Sequence, residues 1–204
     1  MTDALPTLKE ADALRADIYR LLATLLRQPP DTELLDWLAE LAIEQDGSRL
    51  AECWQSLAVA ANGANTEGLQ RAHFRHLVGV IQGEVVPYAS WYRNGELMEA
   101  ALVALRQDLK VLGFERSEHT RDPEDHLAAL CEVMAMLIDA ESSEQSYFFS
   151  QHLAPWTASC FADLGQVDTA FYAALGQLGS AFMESEQARL RVDAGHTPVR
   201  ILEP

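Results

Sequence analysis

Apolar residues recur at steps of three and four along most of this chain, which places them on one face of an α-helix. Faces of this kind lie at 14–25, 34–41, 54–58, 69–77, 98–112, 127–138 and 171–182, and a further segment begins near 143. No run alternates convincingly between apolar and polar residues, as a half-buried strand would. The pattern therefore predicts an all-α fold, a compact bundle of about eight to ten helices.

Single residues mark several predicted helix ends. Pro29 and Pro30 stop the first helix, and Asp31 can cap the second. Gly113 follows the fifth helix at the point where a left-handed terminator is needed. Pro155 must interrupt the helix that begins near 143, because proline lacks the backbone donor.

The longest stretch without helical spacing is 79–95, which contains three glycines and Pro87. Pro87 argues against a central strand there, although a short extended piece fits 83–92. Connections of this length are usually functional or act as hinges. We therefore expect one all-helical domain over 1–192, with a possible hinge at 79–95 and a flexible tail at 193–204.

The charge of the chain restricts its partners. It has 31 acidic residues against 15 lysines and arginines, a formal charge of −16. Nucleic acid is disfavoured, since binding it needs a basic patch. The charge suits either a cationic partner or simple solubility, and the sequence leaves both open.

The compartment is predicted from what the sequence lacks. The amino-terminal residues do not resemble a secretory signal, and no stretch reaches the ~20 apolar residues of a membrane span. The three cysteines Cys53, Cys131 and Cys160 are too far apart for a paired motif and lie among apolar neighbours. They are predicted to be buried thiols, and the chain is predicted to be cytoplasmic and not inserted in a membrane.

The stretch 121–126, Arg-Asp-Pro-Glu-Asp-His, concentrates three acids and a histidine. Local physics predicts a helix start: Asp122 as the cap, Pro123 in the first turn, and Asp125 as a short capping-box acid. This leaves His126 unexplained, so a functional surface built on the helix start is also expected. A catalytic acid/base set is disfavoured, because no nucleophile or second carboxylate cluster accompanies it.

Other histidines have unremarkable surroundings in the sequence. His73 and His76 can share a helix face, but no further metal-ligand pattern accompanies them, and we expect ordinary polar-face histidines. His152 and Trp156 are expected to pack at a helix break. No glycine-rich phosphate-binding motif is present.

Three aromatic residues with polar groups, Tyr88, Trp91 and Tyr92, crowd the 79–95 connection. Such residues are typical of recognition surfaces. One or two of them should pack inward, and the others are candidates for binding.

Several motifs, taken in order, resemble the TorD/DmsD/NarJ family of cytoplasmic chaperones that assist maturation of molybdenum-containing redox enzymes. They are Phe74-Arg75-His76-Leu77-Val78-Gly79, Pro87-Tyr88-Ala89-Ser90-Trp91-Tyr92, Leu112-Gly113-Phe114 and Asp122-Pro123-Glu124-Asp125-His126. The match is specific over about 74–138 and extends more weakly to roughly 14–182. Two departures are Asp122, where the family has glutamate, and the pair Leu77-Val78, where Leu-Phe is frequent.

The resemblance implies an all-helical chaperone and not an enzyme. Such a chaperone binds the twin-arginine signal peptide or the apo-form of a molybdenum-containing oxidoreductase, and delays export until the cofactor is inserted. The residues implied in peptide binding are Phe74, Leu77, Val78, Pro87, Tyr88, Ser90, Trp91, Asp125 and His126. His126 either contacts the peptide or anchors the loop, and the anchor is favoured.

The resemblance also leaves alternatives open. It implies no resident cofactor, weak guanine nucleotide binding at most, and either a monomer or a domain-swapped dimer that uses 79–95 as hinge. Two other functions stay open from the residues alone: a small metal-dependent, hydrolase-like enzyme around His73, His76 and His126, and a general helical interaction scaffold.

Overall fold

The computed structural model describes residues 8–44, 46–79, 82–116 and 122–196. Within these ranges the chain forms ten α-helices and no strand. Two of the helices continue as π-helical turns: α4 (Thr66–His73) continues as Phe74–Val78, and α8 (Gln145–Phe148) continues as Phe149–Leu153. The α-helices are α1 (Leu8–Arg27), α2 (Thr32–Ala39), α3 (Arg49–Asn62), α4 (Thr66–His73), α5 (Ala89–Asn94), α6 (Ala100–Val111), α7 (Leu127–Asp139), α8 (Gln145–Phe148), α9 (Thr157–Leu164) and α10 (Ala170–His196). The predicted all-α bundle is thereby confirmed.

The predicted helix ends are confirmed at most positions. Helix α1 ends at Arg27 before the two prolines, and Asp31 caps α2 by accepting the Leu34 N–H at 2.9 Å. Gly113, with φ 79°, adopts the left-handed conformation expected after α6. Helix α9 begins two residues after Pro155.

The core is built around α7, whose sequence is apolar on nearly every side. This helix packs mainly against α1, while α10 packs against α3 and α9. Gly179 allows α10 to lie close to α9, since a Cβ at this position would collide with the Phe161 ring. Leu14 had been predicted to face inward but is 62% exposed, so the buried face of α1 is carried by Ile18, Leu22 and Leu25.

A buried ion pair fastens α1 to α10. Arg15 donates from two nitrogens to the Glu186 carboxylate at 2.6 and 2.7 Å, and the Tyr19 hydroxyl donates to it at 3.1 Å. Burial raises the pKa of Tyr19 well above its usual value. These hydrogen bonds satisfy a carboxylate that would otherwise be costly to bury.

Two predicted boundaries are corrected. The 79–95 connection is partly helical, because Ala89–Asn94 forms α5, and α10 runs to His196, so 193–196 are helix. The tail predicted beyond that point lies outside the described residues. None of the helices in the described ranges combines the length and the apolar character needed to cross a membrane.

Candidate functional site

The 79–95 connection ends against the turn that precedes α7. Tyr88 and His126 form an isolated antiparallel bridge. The Ala89 N–H donates to the Asp125 carbonyl at 3.0 Å, and the Leu127 N–H donates to the Pro87 carbonyl at 2.8 Å. Residues implied by two distant sequence motifs are thus brought together by main-chain hydrogen bonds.

A second contact joins Ser90 to Asp125, and both side chains are fully buried. The Ser90 N–H and hydroxyl donate to Oδ2 of Asp125 at 2.9 and 2.5 Å. The Ser90 Oγ also accepts the Met98 N–H at 3.2 Å. Oδ1 of Asp125 has no hydrogen-bond partner among the described residues. Both residues had been expected on the peptide-binding surface; their burial instead favours a positioning role.

His126 begins α7 as its N-cap. Its Nδ1 accepts the Ala128 N–H at 3.1 Å, so the ring carries its proton on Nε2. The predicted helix start at Asp122 is therefore wrong by several residues. The reason is local: the His126 N–H donates to the Pro123 carbonyl, which closes a turn, and the Asp125 carboxylate is occupied by Ser90.

The surroundings of His126 favour the neutral ring. Burial lowers its pKa to about 4, the nearby Asp122 opposes this shift, and Arg27 and His73 add to it. The Tyr88 ring meets the imidazole edge-on at a centroid distance of 4.8 Å. These contacts favour the anchoring role over direct contact with a ligand.

The π-helical turn after α4 carries the exposed apolar residues of this region. Phe74 and Val78 are each 50% exposed, whereas Leu77 is buried. Helical spacing groups Phe74 with the apolar face at 69–77, whereas the resemblance implies it in peptide binding; the structure leaves it half exposed. Leu77, implied as a surface residue, faces the core instead. Single π-helical turns of this kind often occur at functional sites.

Main-chain hydrogen bonds place the beginning of the connection beside the π-helical turn. The Val85 N–H donates to the His76 carbonyl at 2.8 Å, and the Glu84 N–H donates to the Arg75 carbonyl at 3.3 Å. The connection therefore runs from the π-helical turn to the start of α7. Pro87 is buried along this path, while Tyr88 and Trp91 are partly exposed.

Tyr92 is the aromatic residue of the connection that packs inward. Its ring stacks on Trp156 at a centroid distance of 5.6 Å, and its hydroxyl donates to Asp163 at 2.7 Å. Trp156 is buried and donates to the His152 carbonyl at 2.7 Å. The predicted packing of His152 and Trp156 at a helix break is confirmed.

The acids of the 122–126 stretch already have partners. Arg106 donates to Glu124 from two nitrogens at 3.0 and 2.8 Å. Partial burial raises the pKa of Glu124, but the hydrogen bonds from Arg106 outweigh it and hold the pKa below its ordinary value. Asp122 lies 4.0 Å from a nitrogen of Arg27. Glu124 is therefore not a free acid for a ligand.

His73, His76 and the three cysteines lie in the interior of the protein. His76 lies between Glu84 Oε2 at 2.6 Å and Thr169 Oγ1 at 2.8 Å, and His73 Nε2 lies 3.3 Å from the Leu26 carbonyl. Both rings are buried, so the expected polar-face placement is wrong. Over the described ranges, no three histidine, cysteine or acidic side chains form a group suited to a metal ion. The three cysteines are buried thiols, as predicted.

Sequence reasoning missed a cleft of about 280 Å³ between α6 and α7. Apolar residues Leu109, Phe114, Val133 and Met136 line it, and the Arg106–Glu124 pair lies at its rim. Sequence reasoning also missed Leu97 and Met98, which are exposed beside Ser90. Met98 had been assigned to the inward face of a helix that in fact begins at Ala100.

Comparisons with known proteins agree with this architecture. A protein from Archaeoglobus fulgidus, whose crystal structure is described as that of a redox enzyme maturation protein, has a similar fold. The TM-score is 0.53 at 13% identity, covering 94% of this chain and 98% of that one. At this identity the likeness concerns the fold alone.

Two sequence relatives are more informative. The Tat proofreading chaperone DmsD of Salmonella paratyphi A is 28% identical over 169 residues, 80% of this chain and 79% of the relative. The chaperone protein TorD of Actinobacillus succinogenes is 25% identical over 159 residues, 76% of this chain and 80% of the relative.

The sequence model described as nitrate reductase delta subunit matches residues 43–162, more than half of the chain. That span contains the π-helical turn, the 79–95 connection and the start of α7, the three parts that meet at the site. The chain therefore belongs to the nitrate reductase delta subunit family, the redox-enzyme maturation chaperones that include TorD and DmsD.

Proposed function

We propose that this chain is a cytoplasmic chaperone that binds the twin-arginine signal peptide, here called the leader, or the apo-form of a molybdenum-containing oxidoreductase. It assists cofactor insertion and delays export until the client is mature. The named chaperones among its relatives support this function. The structural observation that carries it is that Phe74 and Val78 are half exposed, and Tyr88 and Trp91 partly exposed, on segments that main-chain hydrogen bonds link to one another and to the start of α7. We call these four residues the apolar face.

Energetics favour the apolar face as the main contact. A dissociation constant in the micromolar range corresponds to a favourable binding free energy of about 8 kcal/mol. An exposed ion pair contributes only about 0.2–1 kcal/mol, so a few acids cannot supply it. Burial of apolar surface contributes about 25 cal/mol per Å², which suffices even after ordering costs. The apolar part of the leader is therefore bound by the apolar face, either as a helix or as an extended chain.

Charge has a separate role in this proposal. The formal charge of −16 attracts a leader that carries two arginines and speeds encounter. Glu124 adds little of its own, because Arg106 already neutralises it. Long-range attraction therefore selects cationic peptides, while apolar contacts hold them.

In this proposal the chain binds the leader or the apo-client without catalytic turnover and without a resident cofactor. Weak guanine nucleotide binding and a domain-swapped dimer that opens at 79–95 stay predictions. A metal-dependent enzyme would instead show stoichiometric metal by elemental analysis. A general scaffold would bind apolar peptides with no preference for arginine.

Trp91→Ala is expected to weaken leader binding about tenfold or more, because it removes the largest side chain of the apolar face. Glu124→Ala is expected to weaken it less than about threefold, since Glu124 is paired within the protein. Isothermal titration calorimetry with a synthetic leader measures both. Trp37→Ala is the matched control: Trp37 is 51% exposed on α2, outside the apolar face, and its loss should leave affinity unchanged.

The reverse order would reject this division of roles. If Glu124→Ala costs more affinity than Trp91→Ala, charge and not apolar contact holds the leader. If Trp37→Ala weakens binding as much as Trp91→Ala, the contact is not localised on the apolar face.

A further inference from the structure

Residues 96–99, Glu-Leu-Met-Glu, form an exposed turn between α5 and α6. Leu97 is 47% exposed and Met98 is 70% exposed. Glu96 and Glu99, which flank them, are exposed as well. Two neighbouring apolar side chains thus lie in solvent with an acid on each side, and we call this segment the 96–99 turn.

Met98 has an unfavourable backbone conformation. Its φ is +62°, in the left-handed region where only glycine and some polar residues are found readily. A non-glycine residue in this region costs on the order of 1–3 kcal/mol, and such residues cluster at functional sites. Core packing does not offset this strain, because the Met98 side chain is mostly in solvent.

Hydrogen bonds attach the 96–99 turn to the site described above. The Met98 N–H donates to Ser90 Oγ at 3.2 Å, and Ser90 in turn donates to Asp125. The Gly95 N–H donates to the Trp91 carbonyl at 2.9 Å. The group that fixes the aromatic loop on α7 therefore also holds Met98 in its strained conformation.

The two acids of the turn are exposed and are not engaged by other parts of the described structure. Neither Glu96 nor Glu99 forms an ion pair with any described residue, and the Glu99 side chain makes no capping hydrogen bond at the start of α6. Their placement beside exposed apolar residues complements a segment that mixes apolar side chains with cations. In a chain of charge −16, such a partner is attracted from a distance.

We propose that the 96–99 turn is a second contact for the leader. Leu97 and Met98 pack on its apolar side chains, and Glu96 and Glu99 receive the guanidinium groups of its arginines. This inference rests on the proposed function and assigns to it residues outside the apolar face.

Met98→Gly tests the inference because strain and function have opposite consequences. Glycine relieves the strain, so the melting temperature should rise by a few degrees. Leader affinity should fall about three- to tenfold, because an exposed apolar side chain is lost. The paired variant Glu96→Gln/Glu99→Gln should weaken binding about threefold at low salt and have no effect at high salt.

Glu141→Gly is the matched control. Glu141 has φ +49° at the opposite end of α7, and its side chain is exposed in an ion pair with Lys9. This variant should also gain thermal stability but bind the leader as the wild type does. Calorimetry and thermal melts on the three variants and the wild type complete the experiment.

The outcomes separate this inference from the function on which it rests. If the wild type binds the leader and Met98→Gly binds it equally well, the inference is overturned and the chaperone proposal stands. If the wild type binds no leader, both are overturned. If Met98→Gly changes only the sedimentation behaviour, the turn is a contact between copies of the chain and the inference fails.

Discussion

Replacing Asp125 by alanine is expected to lower the free energy of unfolding by about 3 kcal/mol, because Ser90 then has a buried N–H and a buried hydroxyl without an acceptor. Leader affinity should fall about tenfold as well, because the connection loses an anchor to α7 and must be ordered on binding. Chemical denaturation and calorimetry measure the two effects. The second effect would arise without contact between Asp125 and the leader, since the carboxylate is fully buried.

Asp125→Asn distinguishes positioning from direct ion pairing. The amide oxygen can still accept from Ser90, so stability and leader affinity should both recover to near the wild-type values. If Asp125 instead paired with an arginine of the leader, Asp125→Asn would be stable yet bind as poorly as Asp125→Ala. Asp36→Ala, an exposed acid on α2, controls for the loss of one charge and should affect neither quantity.

The free energy of unfolding is expected to fall by about 3 kcal/mol as the pH falls from about 6.5 to about 4, because of the lowered pKa of His126. Its pKa is lowered by burial to about 4 in the folded state, from an ordinary value of 6.5. Between these values the unfolded chain binds a proton that the folded chain does not, so stability rises with pH. The full stability contributed by neutral His126 is present above its ordinary pKa of 6.5, and it is lost below its lowered pKa of about 4.

His126→Asn isolates this contribution. Asparagine is a good N-cap but does not titrate, so the variant should keep α7 while its stability depends less on pH in that window. His73 and His152, whose pKa values burial also lowers, contribute equally in both proteins. Denaturation curves that run parallel for the two proteins from about pH 4 to about pH 6.5 would contradict the assignment.

Much of the fold follows from local rules that act within a few residues. The spacing of apolar residues predicts helices because one face must be buried, and Asp31, Gly113 and Pro155 act on their own backbone or the next turn. Leu14 is an exception, because a residue near the edge of an apolar face is exposed or buried according to what packs there. Periodicity alone cannot report that partner.

The site was predicted less well, because its decisive contacts join residues far apart in sequence. Ser90 and Asp125 are separated by 35 positions, and without Ser90 the carboxylate of Asp125 looks like a helix cap. The π-helical turn changes which residues face the core. It leaves Phe74 exposed and Leu77 buried, and α-helical spacing does not predict this difference. The strained Met98 depends on Ser90 as well, so it could not be found from the sequence.

The most direct test of the account is calorimetric titration of the purified wild-type chain with a synthetic leader at several temperatures and salt concentrations. The account predicts saturable binding of micromolar strength, a negative heat-capacity change from burial of apolar surface, and a modest loss of affinity with salt. No saturable binding, or binding without a heat-capacity change that salt abolishes, would contradict the claim that apolar contact holds the leader.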